Sequence, residues 1–227
     1  MRNLKMDYSD TYLAKRIEHT LLKPDAGEAQ IRKLCQEAAK FGFKGVCVQP
    51  CYVELCIQEL IRTDIDVVAV VGFPLGANCS NIKALEARNA YISGACEADM
   101  VVNIGALKDR RLDKVREDIH EVVEVSKEFP GALVKVIIET ALLTKEEKVL
   151  ACELALQAGA QYVKTSTGFN GGGATVEDVL LMAEVVKGRG RVKASGGIKT
   201  REQAERLLRA GADRLGTSSG LAIITNT

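Results

Sequence analysis

The chain repeats one unit along most of its length: a short apolar run, then an amphipathic stretch with helical spacing. A glycine closes four of the amphipathic stretches, where a left-handed residue can end a helix, and another apolar run follows at once. These glycines are Gly42, Gly94, Gly159 and Gly211. Alternation of this kind is typical of βαβ units and predicts a parallel sheet.

Eight apolar runs qualify as strands. Thr144, Thr175 and Thr200 each precede an acid or amide by three residues, the spacing of a helix N-cap. Eight strands in 227 residues predict an α/β fold, a single-domain (β/α)8 TIM barrel over residues 1–227. An open doubly wound sheet is the alternative, but it needs a glycine-rich turn after the first run, which the sequence lacks there. The predicted strands are 16–20, 43–48, 67–72, 98–104, 132–139, 162–166, 191–195 and 214–217.

Composition excludes several classes of function. The net charge of +1 provides no basic field for nucleic acid. No apolar stretch approaches a membrane span and the start has no signal-peptide core, so we expect a cytoplasmic protein without a membrane partner. Seven cysteines without a C-x-x-C pair, and only two histidines, argue against a zinc site, a disulfide framework and a Ser-His-Asp triad.

Two lysines suggest covalent chemistry. Lys164 and Lys193 lie near the ends of consecutive apolar runs, where desolvation penalises an ammonium group. A lysine must be neutral to attack a carbonyl, and burial together with a neighbouring cation lowers its pKa from about 10.4. We therefore expect one of these lysines to form a Schiff base.

The glycines also set a register for the even-numbered strands. Counting five residues on from each glycine gives Cys47, Asp99, Lys164 and Gly216, which we expect to point into the barrel in one layer. Asp99 could then move protons for Lys164, and Gly216 would leave room for a ligand. The alternative is a structural Asp–Lys pair, which fits Lys135 well, since Lys135 could neutralise Asp99.

Phosphate binding is predicted after the last two strands. Gly196 and Gly197 follow the seventh run, and Ser218 and Ser219 follow the eighth, where barrels frequently bind phosphate through backbone N–H groups. The glycine-rich stretch 168–173 lacks the Gly-Lys-Ser/Thr ending of a nucleotide loop, so we interpret it as a flexible wall of the site. Cys47 could react with an aldehyde or serve as a small buried filler, and the spacing of Cys47, Cys51 and Cys56 does not favour a metal.

The motifs together resemble those of bacterial deoxyribose-phosphate aldolases over nearly the whole chain. The resemblance implies a class I aldolase that interconverts 2-deoxy-D-ribose 5-phosphate with D-glyceraldehyde 3-phosphate and acetaldehyde in deoxyribonucleotide and carbohydrate catabolism. It also implies no cofactor or metal and a homo-oligomer, dimer or tetramer. The motifs are HTLLKP at 19–24, VCV at 46–48, VGFPLG at 71–76, DMVVNIGAL at 99–107, KVIIET at 135–140, VKTSTGF at 163–169 and VKASGGI at 192–198.

The resemblance also assigns site residues. Lys164 is similar to the Schiff-base lysine, Lys193 to its pKa-lowering partner and Asp99 to the proton-relay acid. Glu18 stands where the family usually has Asp, and Gln49 replaces a common Asn. The candidate substrate-binding residues are Glu18, Thr20, Cys47, Lys135, Thr167, Gly168, Gly196, Gly197, Ser218 and Ser219.

Two other functions remain open from the residues alone. Another phosphosugar barrel, such as an isomerase or a transaldolase-like enzyme, would share the phosphate loops. A catalytically silent barrel that binds a phosphometabolite for regulation would share them as well. Substitution of Lys164 separates these alternatives from a Schiff-base aldolase.

Overall fold

Eight parallel strands close into a barrel in the computed structural model, which describes residues 8–226. Neighbouring strands pair in chain order, and the eighth pairs with the first, which confirms the predicted (β/α)8 barrel. The predicted domain 1–227 also covers residues 1–7 and 227, which lie outside the described part. The strands are β1 (Ile17–Leu21), β2 (Gly45–Val48), β3 (Asp66–Val71), β4 (Glu97–Val101), β5 (Leu133–Ile137), β6 (Tyr162–Lys164), β7 (Arg191–Ser195) and β8 (Arg214–Thr217).

Helices form the layer outside the barrel. Two 3₁₀ turns, Pro50–Tyr52 and Thr140–Leu142, lie in the connections. Within residues 8–226, no helix combines the length and the apolar character needed to cross a membrane. The α-helices are α1 (Asp10–Ala14), α2 (Glu28–Phe41), α3 (Val53–Leu60), α4 (Ser80–Ile92), α5 (Ile104–Lys108), α6 (Leu112–Ser126), α7 (Lys145–Gln157), α8 (Val176–Val186), α9 (Arg201–Arg209) and α10 (Gly220–Thr225).

Threonine side chains begin three of the later helices, as the sequence predicts. Thr144, Thr175 and Thr200 each accept a hydrogen bond from the backbone N–H three residues further on, at 3.3, 3.0 and 3.3 Å. Each bond satisfies a donor that the first helical turn would otherwise leave unpaired, a contribution of about 1 kcal/mol per cap.

The predicted glycine stops are also confirmed. Gly42, Gly94, Gly159 and Gly211 have φ values of 65°, 105°, 95° and 109°, a region that other residues rarely adopt. In all four cases the next strand begins three residues after the glycine. The constant spacing gives the four even-numbered strands the same orientation of their inward residues.

Three strands, β4, β5 and β6, end at least two residues earlier than their apolar runs suggest. The run 98–104 continues past β4 because Asn103 stops the strand and caps α5, accepting a hydrogen bond from the Ala106 N–H at 2.9 Å. The run 132–139 continues past β5, but Glu139 adopts a left-handed conformation with φ of 57° and starts a 3₁₀ turn. At β4 and β5 a local backbone feature thus ends a strand that hydrophobicity alone would extend.

The main hydrophobic core lies between the strands and the helices. Phe43, Val46, Met100 and Ile119 are fully buried members of this layer. A much smaller apolar group lies inside the barrel, around Cys47 and its neighbours on β3. Most of the apolar burial that stabilises the fold therefore comes from outside the barrel.

A buried ion pair joins the outer layer to the end of β4. Lys83 on α4 donates to Asp118 on α6 at 2.6 Å and to the backbone oxygen of Val101 at 2.9 Å. Lys83 is completely buried and Asp118 is 1% exposed. Burial lowers the pKa of Lys83, and the Asp118 carboxylate only partly offsets this effect. The pair therefore fixes two helices against the strand that carries Asp99.

We expect Asp118→Asn to destabilise the protein by about 3–5 kcal/mol, because it leaves the buried Lys83 ammonium without a countercharge. Urea unfolding followed by circular dichroism measures the loss. The double change Lys83→Met and Asp118→Leu should recover much of it, since no charge is then buried. Glu128→Gln, at the exposed Arg88–Glu128 pair, is the matched control and should have a much smaller effect. Equal effects of Asp118→Asn and Glu128→Gln would contradict this account.

Candidate active site

A cleft of about 400 Å³ opens at the carboxyl ends of the strands, between the loops that follow β1, β6, β7 and β8. Lys164 lies at its floor. Of the three lysines that the described residues place inside the barrel, Lys164 is the one that lines the cleft. Its residue exposure is 2%, so the amine is largely dry but can be reached from the cleft.

Asp99 joins Lys164 to Lys193. The two lysines are partners in the register between β6 and β7. Each donates to the same atom, Oδ2 of Asp99, at 2.6 Å. The two nitrogens consequently lie within two hydrogen-bond lengths of each other, with the carboxylate between them.

Further charges lie deeper in the barrel. Lys135 donates to the other oxygen of Asp99 at 3.0 Å and also pairs with Glu97. Glu18 accepts from Lys193. Arg214 approaches Glu97 at 3.7 Å and Glu18 at 4.0 Å, and the described residues thus form one connected interior network. Its members are the acids Glu18, Glu97 and Asp99 and the bases Lys135, Lys164, Lys193 and Arg214.

This network carries one more basic group than acidic groups. Asp66 also approaches Arg214, at 3.9 Å, but it already pairs with Lys44 at 2.6 Å. With every group ionised, the interior therefore holds a surplus positive charge away from bulk water. Lys164 is the member of this network that lines the cleft.

The network shifts the pKa values of Asp99 and Lys193. Burial would raise the pKa of Asp99, but the ammonium groups of Lys135, Lys164 and Lys193 hold it well below its usual range. Burial would lower the pKa of Lys193, but Asp99 and Glu18 raise it above its usual value. At neutral pH Asp99 is therefore a carboxylate and Lys193 is a cation.

The residues counted from the stop glycines, Cys47, Asp99, Lys164 and Gly216, lie on the inner face of the barrel, as predicted. Asp99 and Lys164 meet inside the barrel, and the Sγ atom of Cys47 lies 3.9 Å from Oδ2 of Asp99. Gly216 lines the cleft, as expected for a glycine that leaves room for a ligand. A Cβ atom there would lie 2.9 Å from Cβ of Ser195 and 3.0 Å from Cε of Lys193, so a side chain would crowd both residues.

Seven of the ten predicted substrate-binding residues line the cleft. Thr20 comes from the end of β1, and the other six come from the loops after β6, β7 and β8. Gly168 and Gly196 approach closely, since a Cβ atom on Gly168 would lie 3.8 Å from the Gly196 Cα. The seven are Thr20, Thr167, Gly168, Gly196, Gly197, Ser218 and Ser219.

The other three, Glu18, Cys47 and Lys135, do not line the cleft. Each is 0% exposed, because its position on the strand lies below the strand end. Glu18 and Lys135 pair with other charges of the interior network instead of facing a ligand. Burial raises the pKa of Cys47 to about 11, so its thiol stays protonated at neutral pH and acts as a small filler. The structure thus places these three residues beneath the cleft, and their role in substrate binding stays a prediction.

The glycine-rich stretch after β6 forms a wall of the cleft, as expected. Phe169 lines the cleft and packs edge-on against Phe73, with ring centroids 5.2 Å apart. A Cβ atom at Gly173 would lie 2.4 Å from the Gly196 oxygen, so this position requires glycine. The wall is thus in direct backbone contact with the predicted phosphate loop.

Two lysines at the rim of the cleft were missed by the sequence reasoning. Lys23 and Lys199 are exposed and line the cleft from two different loops, after β1 and β7. In the part of the chain that the structure describes, neither has an ion-pair partner, and no acidic side chain lines the cleft with them. Their sequence positions could have indicated this, since Lys23 follows Leu22 and Lys199 comes two residues after Gly197. The cleft is therefore positively charged and suits an anionic ligand.

Comparison with known proteins places this site in a family. A family model described as DeoC/LacD family aldolase matches residues 16–226. A deoxyribose-phosphate aldolase from Geobacillus sp. (strain WCH70) is 57% identical over 212 residues, covering 93% of this chain and 94% of the relative. One from Carboxydothermus hydrogenoformans is 56% identical over 217 residues, covering 95% of each chain.

Solved structures agree with the sequence comparison. A structure described as the unique tetrameric structure of deoxyribose phosphate aldolase from Aeropyrum pernix is 34% identical to this chain, with a TM-score of 0.90. The match covers 96% of this chain and 92% of that one. Since the family match, the relatives and the barrel all extend over nearly the whole chain, this protein is an enzyme, a carbon–carbon lyase that belongs to the DeoC/LacD family of aldolases.

Proposed function

We propose that this protein is a class I deoxyribose-phosphate aldolase. It reversibly cleaves 2-deoxy-D-ribose 5-phosphate to D-glyceraldehyde 3-phosphate and acetaldehyde through a Schiff base on Lys164. The names of its relatives support the substrate. The observation that carries the mechanism is the position of Lys164, at the cleft floor and 2.6 Å from the carboxylate that also binds Lys193.

The first step requires a neutral amine. The amine of Lys164 lines the cleft and can meet a ligand, and the cation of Lys193 lies on the same oxygen of Asp99. Lys193 remains a cation because Asp99 and Glu18 stabilise it. The amine of Lys164 then attacks C1 of the open-chain sugar.

Asp99 and Lys193 move the protons of the next step. The attacking nitrogen sheds a proton as the carbinolamine forms, and Asp99 is the carboxylate within hydrogen-bond distance. The hydroxyl of the carbinolamine must leave as water, and Lys193 supplies a proton through Asp99. The iminium that results carries the same charge as an ammonium group, so the nearby carboxylate stabilises it as well.

The iminium then accepts the electron pair of the C2–C3 bond. The C3 hydroxyl gives its proton to solvent, D-glyceraldehyde 3-phosphate leaves, and an enamine remains on Lys164, which later takes one proton back from solvent. Protonation of the enamine at C2 gives the acetaldehyde iminium, which water hydrolyses to regenerate the amine. The reverse sequence joins acetaldehyde to the phosphorylated aldehyde.

The phosphate is assigned to the part of the cleft that Gly196, Gly197, Ser218 and Ser219 line. The Ser219 N–H already donates to Oγ1 of Thr217 at 2.9 Å, so the proposed donors are the backbone N–H groups of Gly196, Gly197 and Ser218. Lys23 and Lys199 add positive charge at the rim. Holding the phosphate away from the reacting carbons fixes the sugar in the orientation that bond cleavage requires.

Three further proposals concern the whole protein. We propose that the chain acts as one catalytic domain, since the Geobacillus relative is matched over 94% of its length. The Aeropyrum protein is described as tetrameric, which supports a homo-oligomer here. A cytoplasmic location and a role in deoxyribonucleotide catabolism stay predictions.

Acetaldehyde and borohydride should attach an ethyl group to Lys164, because reduction traps the imine as a stable secondary amine. Peptide mass mapping locates the adduct. Lys164→Ala should abolish both the adduct and aldol cleavage while binding of inorganic phosphate is kept. Lys145→Ala, an exposed lysine on α7, is the matched control and should retain both. Turnover that survives in Lys164→Ala would sink the covalent mechanism and favour an isomerase, while a protein that never cleaves the sugar would favour a silent barrel.

Lys193→Met should lower the rate most strongly near neutral pH. Removing this cation takes away the second ammonium group on Oδ2 of Asp99, and a neighbouring cation favours the neutral form of an amine. The acid limb of the pH profile of kcat/KM should therefore move to higher pH relative to the parent enzyme. A reduced rate with an unchanged pH profile would argue against the electrostatic role.

Lys23→Ala combined with Lys199→Ala should raise KM for 2-deoxyribose 5-phosphate by about tenfold, since both charges face the phosphate end of the cleft. Turnover of unphosphorylated 2-deoxyribose should change by less than about twofold. The control pair is Lys145→Ala with Lys187→Ala, two exposed lysines that do not line this cleft. Equal losses with both sugars would show that the rim lysines do not recognise the phosphate.

A further inference from the structure

Glu139 is a buried acid beside the cleft that the mechanism does not use. It follows β5, is 1% exposed, and does not line the cleft itself. Its backbone is left-handed, with φ of 57°, a conformation that costs free energy in a residue with a side chain. Hydrogen bonds on both sides hold it there: Ile138 N–H donates to the Lys164 oxygen at 3.0 Å, and Thr140 N–H donates to the Thr165 oxygen at 3.0 Å.

The carboxylate of Glu139 is directed at the wall after β6. Thr167 donates to it from its hydroxyl at 2.5 Å and from its backbone N–H at 3.3 Å. The side-chain amide of Asn170 donates at 2.9 Å. Every one of these partners is a donor, which matches an ionised carboxylate that can only accept.

These bonds fix the polarity of the Thr167 hydroxyl. Its single proton is used on Glu139, and one lone pair accepts from the Phe169 N–H at 3.1 Å. The remaining lone pair belongs to a residue that lines the cleft. Toward a ligand, Thr167 can therefore accept a hydrogen bond but cannot donate one.

Thr167 also lies at the right place along the cleft to meet a substrate hydroxyl. It is three residues beyond Lys164, where the carbonyl carbon bonds in the proposed function. Gly168, the next residue, contacts Gly196 of the proposed phosphate site. The part of the sugar between the reacting carbon and the phosphate carries hydroxyl groups, which are hydrogen-bond donors.

We propose that Glu139 is a positioning residue that locks the Thr167 hydroxyl as an acceptor, and that this pair selects phosphorylated aldehydes carrying a hydroxyl next to the carbonyl. The inference rests on the proposed function, because it concerns the acceptor aldehyde of the same aldol reaction. It goes further by naming the substrate group that is recognised, the hydroxyl next to the carbonyl. It also assigns the orientation of Thr167 to Glu139, which does not line the cleft.

The test compares two acceptors in acetaldehyde addition: D-glyceraldehyde 3-phosphate and 3-oxopropyl phosphate, which lacks only the hydroxyl. The parent enzyme should prefer the first by about tenfold or more in kcat/KM, because a site built to accept a hydrogen bond disfavours a ligand without the donor. Glu139→Gln replaces the acceptor-only carboxylate with an amide that can also donate, so the threonine proton is no longer committed. The preference should fall to near unity through loss of the hydroxylated acceptor, with 3-oxopropyl phosphate changed by less than about twofold.

Variants of Thr167 and a remote carboxylate provide the controls. Thr167→Ser keeps the hydroxyl and should keep the preference, whereas Thr167→Val should remove it. Glu153→Gln makes the same chemical change on α7, at a residue paired with Arg189, and should leave the preference unchanged. If Glu139→Gln fails to fold, the Thr167 pair decides the question.

Two outcomes would overturn the proposal. One is an equal loss with both acceptors in Glu139→Gln, which would indicate a merely structural role. The other is a preference that persists in Thr167→Val. Borohydride trapping of acetaldehyde on Lys164 is run on every variant: absence of the adduct in the parent protein counts against the proposed function, and its presence with an unaltered preference counts against Glu139 alone.

Discussion

The carboxylate of Asp99 holds the interior of this barrel together. Three ammonium groups lie around it, and each would cost several kcal/mol to bury without a partner. Barrel interiors are usually filled with branched apolar side chains. In this barrel, charged side chains occupy space in which apolar packing would normally stabilise the fold. Lys193 and Lys135 are each held by at least two acids, whereas Asp99 is the one acid among residues 8–226 that pairs with Lys164. The lysine with the fewest restraints is therefore the one that faces the cleft.

Because the interior of the barrel is charged, the stability of the fold depends mainly on the layer between the strands and the helices. The apolar contacts between strands and helices, and the buried Lys83–Asp118 pair, keep the strands in register around the network. The main hydrophobic core and the reactive groups are thus on opposite faces of the same strands. Side chains alternate between the two faces of a strand. Residues that face the interior can therefore differ in chemistry while the residues that face the helices keep the fold stable.

Much of the site could be predicted because helix ends and strand starts are locally encoded. The φ of each stop glycine sets where the next strand begins, so counting from Gly94 and Gly159 was enough to bring Asp99 and Lys164 to one face. The count gives the face of the sheet but not the depth below the cleft. That is why Glu18, Cys47 and Lys135 were expected to contact a ligand but lie beneath it.

Other features depended on reach and loop conformation, which periodicity does not report. Lys23 and Lys199 have long side chains on loops whose paths are set by packing, so their approach to the cleft could not be read from spacing. Glu139 looked like the end of a strand because its neighbours are apolar. Its left-handed backbone and its bonds to Thr167 became visible only in three dimensions.

The close backbone approach of Gly173 to Gly196 has a mechanical consequence. The Ala174 N–H donates to the Gly196 oxygen at 3.0 Å, so the segment above the reactive amine and the segment assigned to phosphate are fastened together. Neither can swing away without straining the other. Binding of an anion to the segment at Gly196 therefore also restricts the motion of the segment at Gly173. Binding of the phosphate group of a substrate would thereby order the cleft wall near the reacting carbons.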